Sequence, residues 1–401
     1  MAAAVTNLFA QKPPAQKGGP VVDTRALIEK GKKATAGLNP FGLKLVEAEA
    51  AAKPNSNVFV SPLSVYLALA MTEGGAEGKT RTAMRHALSV PPSMTHETMQ
   101  EAASALMQSL RTQQGVDLSI ANAVWSSPKL PLSTAFVERS KAVYDAEAKT
   151  IDFQQSDASD TINRWVSDKT KGKIPQIVTP DVIKDAFALI TNAIYFMGRW
   201  DKKFDEGQTA DADFTLVSGK TKKVRMMHRE KLTGAYRKGD GYEAAALGYS
   251  GSGIEMFAIL PAAGVSPEQA LAKAKPDKLI GGNEPFDLDL KLPKFTLDYS
   301  NGLKPTLTKM GMGIAFQFPG AEFAPIGSPL FYIGEVLHKT RLEVDEQGTV
   351  AAAATAVVMM VGSAMPRPLP GKVLVFNRPF AVMIADRYTG AVLFEGVVYE
   401  P

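Results

Sequence analysis

Thr349-Val-Ala-Ala-Ala-Ala-Thr-Ala-Val-Val-Met-Met-Val-Gly-Ser-Ala-Met365 runs for 17 residues without a charge, closed off by Asp345 and Glu346 before it and by Pro366, Arg367, Pro368 and Pro370 after it. Three structures compete for this run. A membrane span wants about 20 apolar residues, and this run is shorter, alanine-heavy and set between segments patterned as strands. A buried helix suits the alanines, but the valine pair Val357-Val358 and the prolines beyond oppose it. The third structure is a loop that can become a strand. Alternate positions of a strand share a face, so with Thr349 turned inward, Ala351, Ala353 and Thr355 follow it, all small and uncharged. A strand pushed into the middle of a sheet meets a close-packed interior with room for small groups only, and any charge there would have to be desolvated.

On the C-terminal side of the run, Lys372 to Phe376, Phe380 to Ile384 and Ala391 to Val398 read as strands between turn residues. On the N-terminal side come Leu342 and Val344, then Phe286, Leu288, Leu290 and Leu292 in strict alternation, and Ile254 to Leu260. Earlier still, Phe187 to Phe196 is rich in strand formers, Asp160 to Lys169 is helical, and Leu118 to Trp125 is strand-like. The first quarter is mostly helix. One helix runs from Asn39 to Ala52, and a short strand, Val58 to Val60, follows. Ser61 then caps a second helix that Pro62 opens and Gly74-Gly75 ends. Lys79 to Leu88 and Met99 to Leu110 are further amphipathic helices. The fold class is α+β with large, mainly antiparallel sheets. No repeat or linker divides the chain, so one domain is expected over residues 23–401, behind a disordered arm at 1–22.

Composition narrows the function. Lys plus Arg number 45 against 41 Asp plus Glu, and this net charge of +4 is not gathered into a basic block, which argues against a nucleic-acid partner. The absence of cysteine excludes disulfides, thiol catalysis and Cys-ligated zinc. No basic residue precedes the apolar start of the chain, so no export signal is evident and location is not read from it. The glycines around Gly74, Gly253 and Gly281 lack the spacing of phosphate or dinucleotide loops, and no cofactor is expected. Gly248-Tyr-Ser-Gly-Ser252 approaches a nucleophile elbow but lacks glycine two residues after Ser250, so it reads as a turn and no catalytic residue is assigned. His338 follows Glu335 by three residues, a spacing that on one helix could seed a metal site. His86, His96 and His228 add no second motif, and a buried, hydrogen-bonded His338 with no metal is expected.

Several segments together then carry a resemblance. Asn57-Val-Phe-Val-Ser-Pro-Leu-Ser64, Thr191-Asn-Ala-Ile-Tyr-Phe-Met-Gly-Arg-Trp200, Leu292-Pro-Lys-Phe295, His338-Lys-Thr-Arg-Leu-Glu-Val-Asp-Glu-Gln-Gly-Thr349, Asn377-Arg-Pro-Phe380 and Phe394-Glu-Gly396 follow in order. From about Asn39 to Pro401 the chain resembles the serpin family. The resemblance implies a serpin fold of three β-sheets with eight to nine helices and an exposed reactive-centre loop at about residues 347–372. It implies a suicide-substrate inhibitor and not an enzyme. A serine protease would cut the loop, be held as a covalent acyl-enzyme, and be carried along as the freed loop inserts into the main sheet. The expected partner is therefore the target serine protease, with a monomeric active inhibitor and neither membrane nor nucleic acid involved; family members act mostly outside cells.

Carried across by position, Gly348, Thr349, Ala351, Ala353 and Thr355 fall at the hinge, and Ser61, Ser64, Asn192 and His338 match the polar cluster where the sheet opens. Trp200 lies where the loop first enters, and Glu346 and Lys294 match an ion pair at the loop base. Val350 departs from the acidic residue common there, but should face solvent after insertion. The family's spacing from Glu346 lands the cleaved bond at Gly362-Ser363, with Val361-Gly362 and Met365-Pro366 as alternatives. The Met, Val, Gly and Ala of this stretch suit an elastase-, chymotrypsin- or subtilisin-like protease; cleavage after Arg367 would suit a trypsin-like one, but Pro368 follows. The rival is a non-inhibitory carrier or chaperone on the same fold. Bulky or charged residues at Thr349, Ala351 or Ala353 would favour that rival, and there are none.

Overall fold

The computed structural model describes residues 23–184, 186–282, 284–349 and 369–401. Three sheets carry the fold. The main sheet has six strands in the order Phe295–Gly302, Glu335–Val344, Gly348–Thr349, Ala188–Arg199, Val116–Ser126 and Glu147–Thr150. A second six-stranded sheet runs Val58–Val60, Val392–Val398, Phe380–Asp386, Ile254–Pro261, Tyr242–Gly248 and Tyr236–Gly239. Phe380–Asp386 and Val392–Val398 are buried at every residue, which is why they read as mostly apolar runs without alternation, Asp386 and Glu395 being the charged exceptions. The third sheet is Gly371–Val375, Asp287–Pro293, Thr221–Thr233 and Ala210–Thr215. Its alternation shows in the sequence because Leu288, Leu290 and Leu292 face the core while Asp287, Asp289 and Lys291 do not.

Pairing is mainly antiparallel, with parallel pairs between Ala188–Arg199 and Glu335–Val344, Asp287–Pro293 and Gly371–Val375, and Val116–Ser126 and Glu147–Thr150. The first of these positions the site described below. Between the main and second sheets lies helix Pro62–Glu73, buried over its whole length. Ser61 Oγ accepts from the Ser64 N–H at 3.2 Å and proline fills the first helical position, so the helix start is fixed against the strand Val58–Val60 that precedes it.

Among the described residues there are eleven α-helical segments, of which Pro180–Ile183 and Lys304–Leu307 are four-residue turns. Setting those two aside leaves nine, against the eight to nine expected. The helix expected from Asn39 in fact starts at Thr35, because Pro40 lies inside it rather than in its first turn. An unexpected helix, Thr24–Lys32, packs on His96–Arg111. A Cβ at Gly31 would stand 2.9 Å from Leu106 Cα, so the glycine that looks like a helix end is a point of close helix approach. Glu335 and His338 lie on a strand, not a helix, which removes the helical spacing on which a metal reading of that pair depended.

Candidate functional site

The main sheet is split at one end and closed at the other. From Glu335↔Leu189 to Arg341↔Tyr195 the two central strands pair directly and in parallel. Beyond that they diverge, and the two-residue strand Gly348–Thr349 fills the opening, antiparallel to both neighbours. Thr349 pairs with Val344 on one side and Gly198 on the other. The tight return at residues 345–347 demands Gly348. Its φ is 153°, and a Cβ there would come within 2.2 Å of Gly198 O.

Thr349 is fully buried. Its Oγ1 lies 2.7 Å from the Tyr249 hydroxyl, and the Tyr249 ring stacks on Trp200 with centroids 4.7 Å apart. Burial pushes the Tyr249 phenol far above its usual range, so it stays protonated. A Cβ at Gly198 would meet the Tyr249 ring at 2.7 Å, so glycine there makes room for the ring to reach Thr349. The sequence reading had treated residues 248–252 only as a turn; Tyr249 is a member of the site that it missed.

The base of the return is tied down from several sides. Trp200 Nε1 donates to Asp345 O at 2.9 Å, and the Trp200 N–H donates to Gln347 O at 3.0 Å. Lys294 Nζ donates to Glu346 Oε2 at 2.7 Å, Thr209 Oγ1 donates to Glu346 Oε1 at 2.8 Å, and the Phe204 N–H donates to Glu346 O at 3.0 Å. Burial works against the Glu346 carboxylate, but the Lys294 and Thr209 hydrogen bonds outweigh it and hold its pKa below the usual range.

Below the opening, three polar side chains stand in line across three strands. Asn122 pairs in register with Asn192, and Asn192 with His338. Asn192 Nδ2 donates to Asn122 Oδ1 and to Ser64 Oγ, and Ser64 Oγ donates to Asn122 Oδ1 at 3.2 Å. The Ser61 N–H donates to His338 Nε2 at 3.1 Å, and Ser61 Oγ donates to Leu393 O at 2.6 Å. With Nε2 accepting, the ring proton of His338 is on Nδ1 and is donated to Asn192 Oδ1. Burial pushes the His338 pKa down to about 3, so the ring is neutral. The structure thus brings Ser61, Ser64, Asn192 and His338 together and adds Asn122. The row spans the closed part of the split, and parting the two central strands breaks the His338–Asn192 bond.

Of the sequence-predicted residues, Gly348, Thr349, Trp200, Glu346 and Lys294 meet at the opening. Ala351, Ala353, Thr355, Val361, Gly362, Ser363 and Met365 lie outside the described residues, as does the arm at 1–22. Both ends of the loop expected at 347–372 lie in strands, Gly348–Thr349 and Gly371–Val375.

A family model described as Serpin (serine protease inhibitor) matches residues 36–401. The chain is 33% identical over 358 residues to leukocyte elastase inhibitor of Xenopus tropicalis, covering 86% of this chain and 93% of that one. It is similar to tengpin, a thermophilic serpin solved in its native state, with a TM-score of 0.80 at 29% identity, covering 91% of this chain and 94% of that one. It is also similar to human thyroxine-binding globulin in complex with thyroxine, with a TM-score of 0.81 at 26% identity over 94% and 99% of the two chains.

Proposed function

The chain belongs to the serpin family, and from that premise we propose that it inhibits a serine protease as a suicide substrate, inserting its cut loop into the main sheet. The observation that carries this is Gly348–Thr349, a strand already lodged between Val344 and Gly198 and antiparallel to both neighbours. Continuing that register would bring Ala351 between Phe196 and Leu342, Ala353 between Ile194 and Thr340, and Thr355 between Asn192 and His338. Every one of those neighbours is buried, so small uncharged side chains are what this path can accept. Thr355 would arrive with a hydroxyl able to serve the two polar groups its arrival separates.

In the covalent step the protease serine attacks the Gly362 carbonyl. The Gly362–Ser363 bond breaks, the Ser363 amine leaves with a proton, and an ester to Gly362 remains. Insertion then draws the ester-linked protease away from the loop's original position before water cleaves the ester. Val361-Gly362 and Met365-Pro366 are the alternative bonds. Residues 359–365 favour an elastase-, chymotrypsin- or subtilisin-like target. Thyroxine-binding globulin is a reminder that this fold alone does not decide between inhibiting and carrying. The residues at Thr349, Ala351 and Ala353 favour inhibition.

The test is to mix the chain with elastase-, chymotrypsin-, subtilisin- and trypsin-like proteases and follow denaturing gels with mass spectrometry of the released C-terminal peptide. A denaturant-resistant complex with one of the first three is expected, with a peptide starting at Ser363. Clean cleavage by all four without a complex would favour the carrier or chaperone.

A further inference from the structure

His228, Glu230 and Asp289 converge on the third sheet. His228 and Glu230 are two apart on Thr221–Thr233 and share a face, while Asp289 comes from the neighbouring strand Asp287–Pro293. The strand pairing is irregular at this point. Arg229 pairs with Leu290 and Leu232 with Leu288, so Glu230 and Lys231 together oppose Asp289. Lys231 there has a φ of 56°, uncommon for a side chain of its size. Bulges of this kind re-aim side chains, and here the result is a convergence of donors. His228 Nε2 lies 2.7 Å from Asp289 Oδ1, and one ligand atom from each of the three residues lies within 4.8 Å of the others. Beside His228 and Glu230 is a cavity of about 400 Å³ whose wall includes Phe204, Asp205 and Gln208.

We propose that His228, Glu230 and Asp289 form a site for a divalent transition metal of the zinc class, bridging the two strands. Imidazole and carboxylate are both donors that zinc takes, and three protein ligands leave a fourth position open. The nitrogen donor favours such an ion over magnesium or calcium, which take oxygen ligands. The cavity leaves space for water in the remaining position. The ion takes the place of the hydrogen between His228 Nε2 and Asp289 Oδ1, and the neutral imidazole that binds it carries its one ring proton on Nδ1. Three cationic residues oppose binding: Lys291, across from His228 in register, and Lys203 and Arg229 in the cavity wall. The two lysines carry their charge on flexible stems that can turn to solvent.

The experiment is titration calorimetry of the chelator-treated full chain with Zn²⁺ alone and with Mg²⁺ alone, alongside thermal melts. One Zn²⁺ per chain, a melting temperature that rises with Zn²⁺ concentration and no comparable Mg²⁺ uptake are expected. His228→Gln and Asp289→Asn should each weaken Zn²⁺ binding by about tenfold or more. Glu230→Gln changes an exposed side chain, so it should weaken binding while leaving the metal-free melt close to unchanged. No Zn²⁺ uptake at tens of micromolar, or uptake that all three variants leave intact, overturns the proposal; the second result would put the ion elsewhere.

Discussion

Thr349 concentrates the physics of the opening in one side chain. It is buried, shares a hydrogen bond with Tyr249 and faces Gly198, so nothing larger and nothing charged fits without disturbing the stack of Tyr249 on Trp200. Thr349→Arg would force an unpaired guanidinium into that space at a cost of about 3–5 kcal/mol. The short strand would be expelled and the path closed at its first step. The expected outcome is a chain that the target protease still cuts at the wild-type rate but that no longer traps it, read as a rise in the moles of inhibitor consumed per protease. Thr349→Ser, which keeps a small side chain and the hydroxyl, should stay close to wild type. An unchanged stoichiometry for the arginine variant would count against insertion. The importance of small residues here was legible because a run without charge is conspicuous in one dimension. Asn122 and Tyr249 were not legible. Each sits among residues that give no local signal, and their roles come from partners on other elements, Asn192 and Ser64 for one and Thr349 and Trp200 for the other.

The strands Ala188–Arg199 and Glu335–Val344 are held together at their polar row by a neutral His338, and this gives the closed sheet a pH dependence. The unfolded-state pKa of histidine is about 6.5, and burial depresses the folded value to about 3. The folded state therefore binds fewer protons than the unfolded state between those values. The stability is fully present above about pH 6.5 and lost as pH falls toward 3, at about 1.4 kcal/mol per pH unit. Glu395 works in the opposite sense. Burial raises its carboxyl to about 8, so its contribution is present below the ordinary carboxylate range and lost as pH rises through 8. The clean measurement is accordingly a difference: the gap in melting temperature between wild type and His338→Gln should narrow from pH 7 to pH 5. A gap that stays constant would mean that His338 does not titrate on unfolding as described. The same strand shows why sequence reading found only its end. Val336, His338, Thr340, Leu342 and Val344 are all buried, with Leu337 buried as well, and burial alternates only from His338 onward. Because two of the five are polar, the apolar period survives only at Leu342 and Val344. Val58–Val60 and the cap at Ser61 were read correctly because a run of strand formers and a Ser-Pro start are local signals.

At the scale of the whole molecule, the described ends of the long run explain why an uncut chain can hold its sheet only partly open. Gly348–Thr349 is fixed in the main sheet, while Gly371–Val375 is paired in parallel with Asp287–Pro293 in the third sheet. On the proposed mechanism, progress of the run into the opening would be limited as long as both ends are held and the chain between them is intact. The closed region is a single parallel pairing from Glu335↔Leu189 to Arg341↔Tyr195. A strand inserted there would exchange that one pairing for two antiparallel ones, which are slightly better per residue. It would also bury its own inward face. With a net gain of roughly 1 kcal/mol for each hydrogen bond added, complete insertion is worth on the order of 10 kcal/mol. On the proposed mechanism, the native form would then be held by its intact loop and not by being the best arrangement of the sheet. Cutting the run without capturing the protease should therefore stabilise the molecule. The expected result is a nicked chain, both fragments still associated, that melts more than about 10 °C above the intact one by calorimetry. Thr349→Arg nicked in the same way should show little of that rise, because its strand cannot start. If nicked wild type melts at or below the intact temperature, the loop stays out after cleavage and the carrier reading gains; if nicked Thr349→Arg rises as much as wild type, insertion does not begin at Thr349.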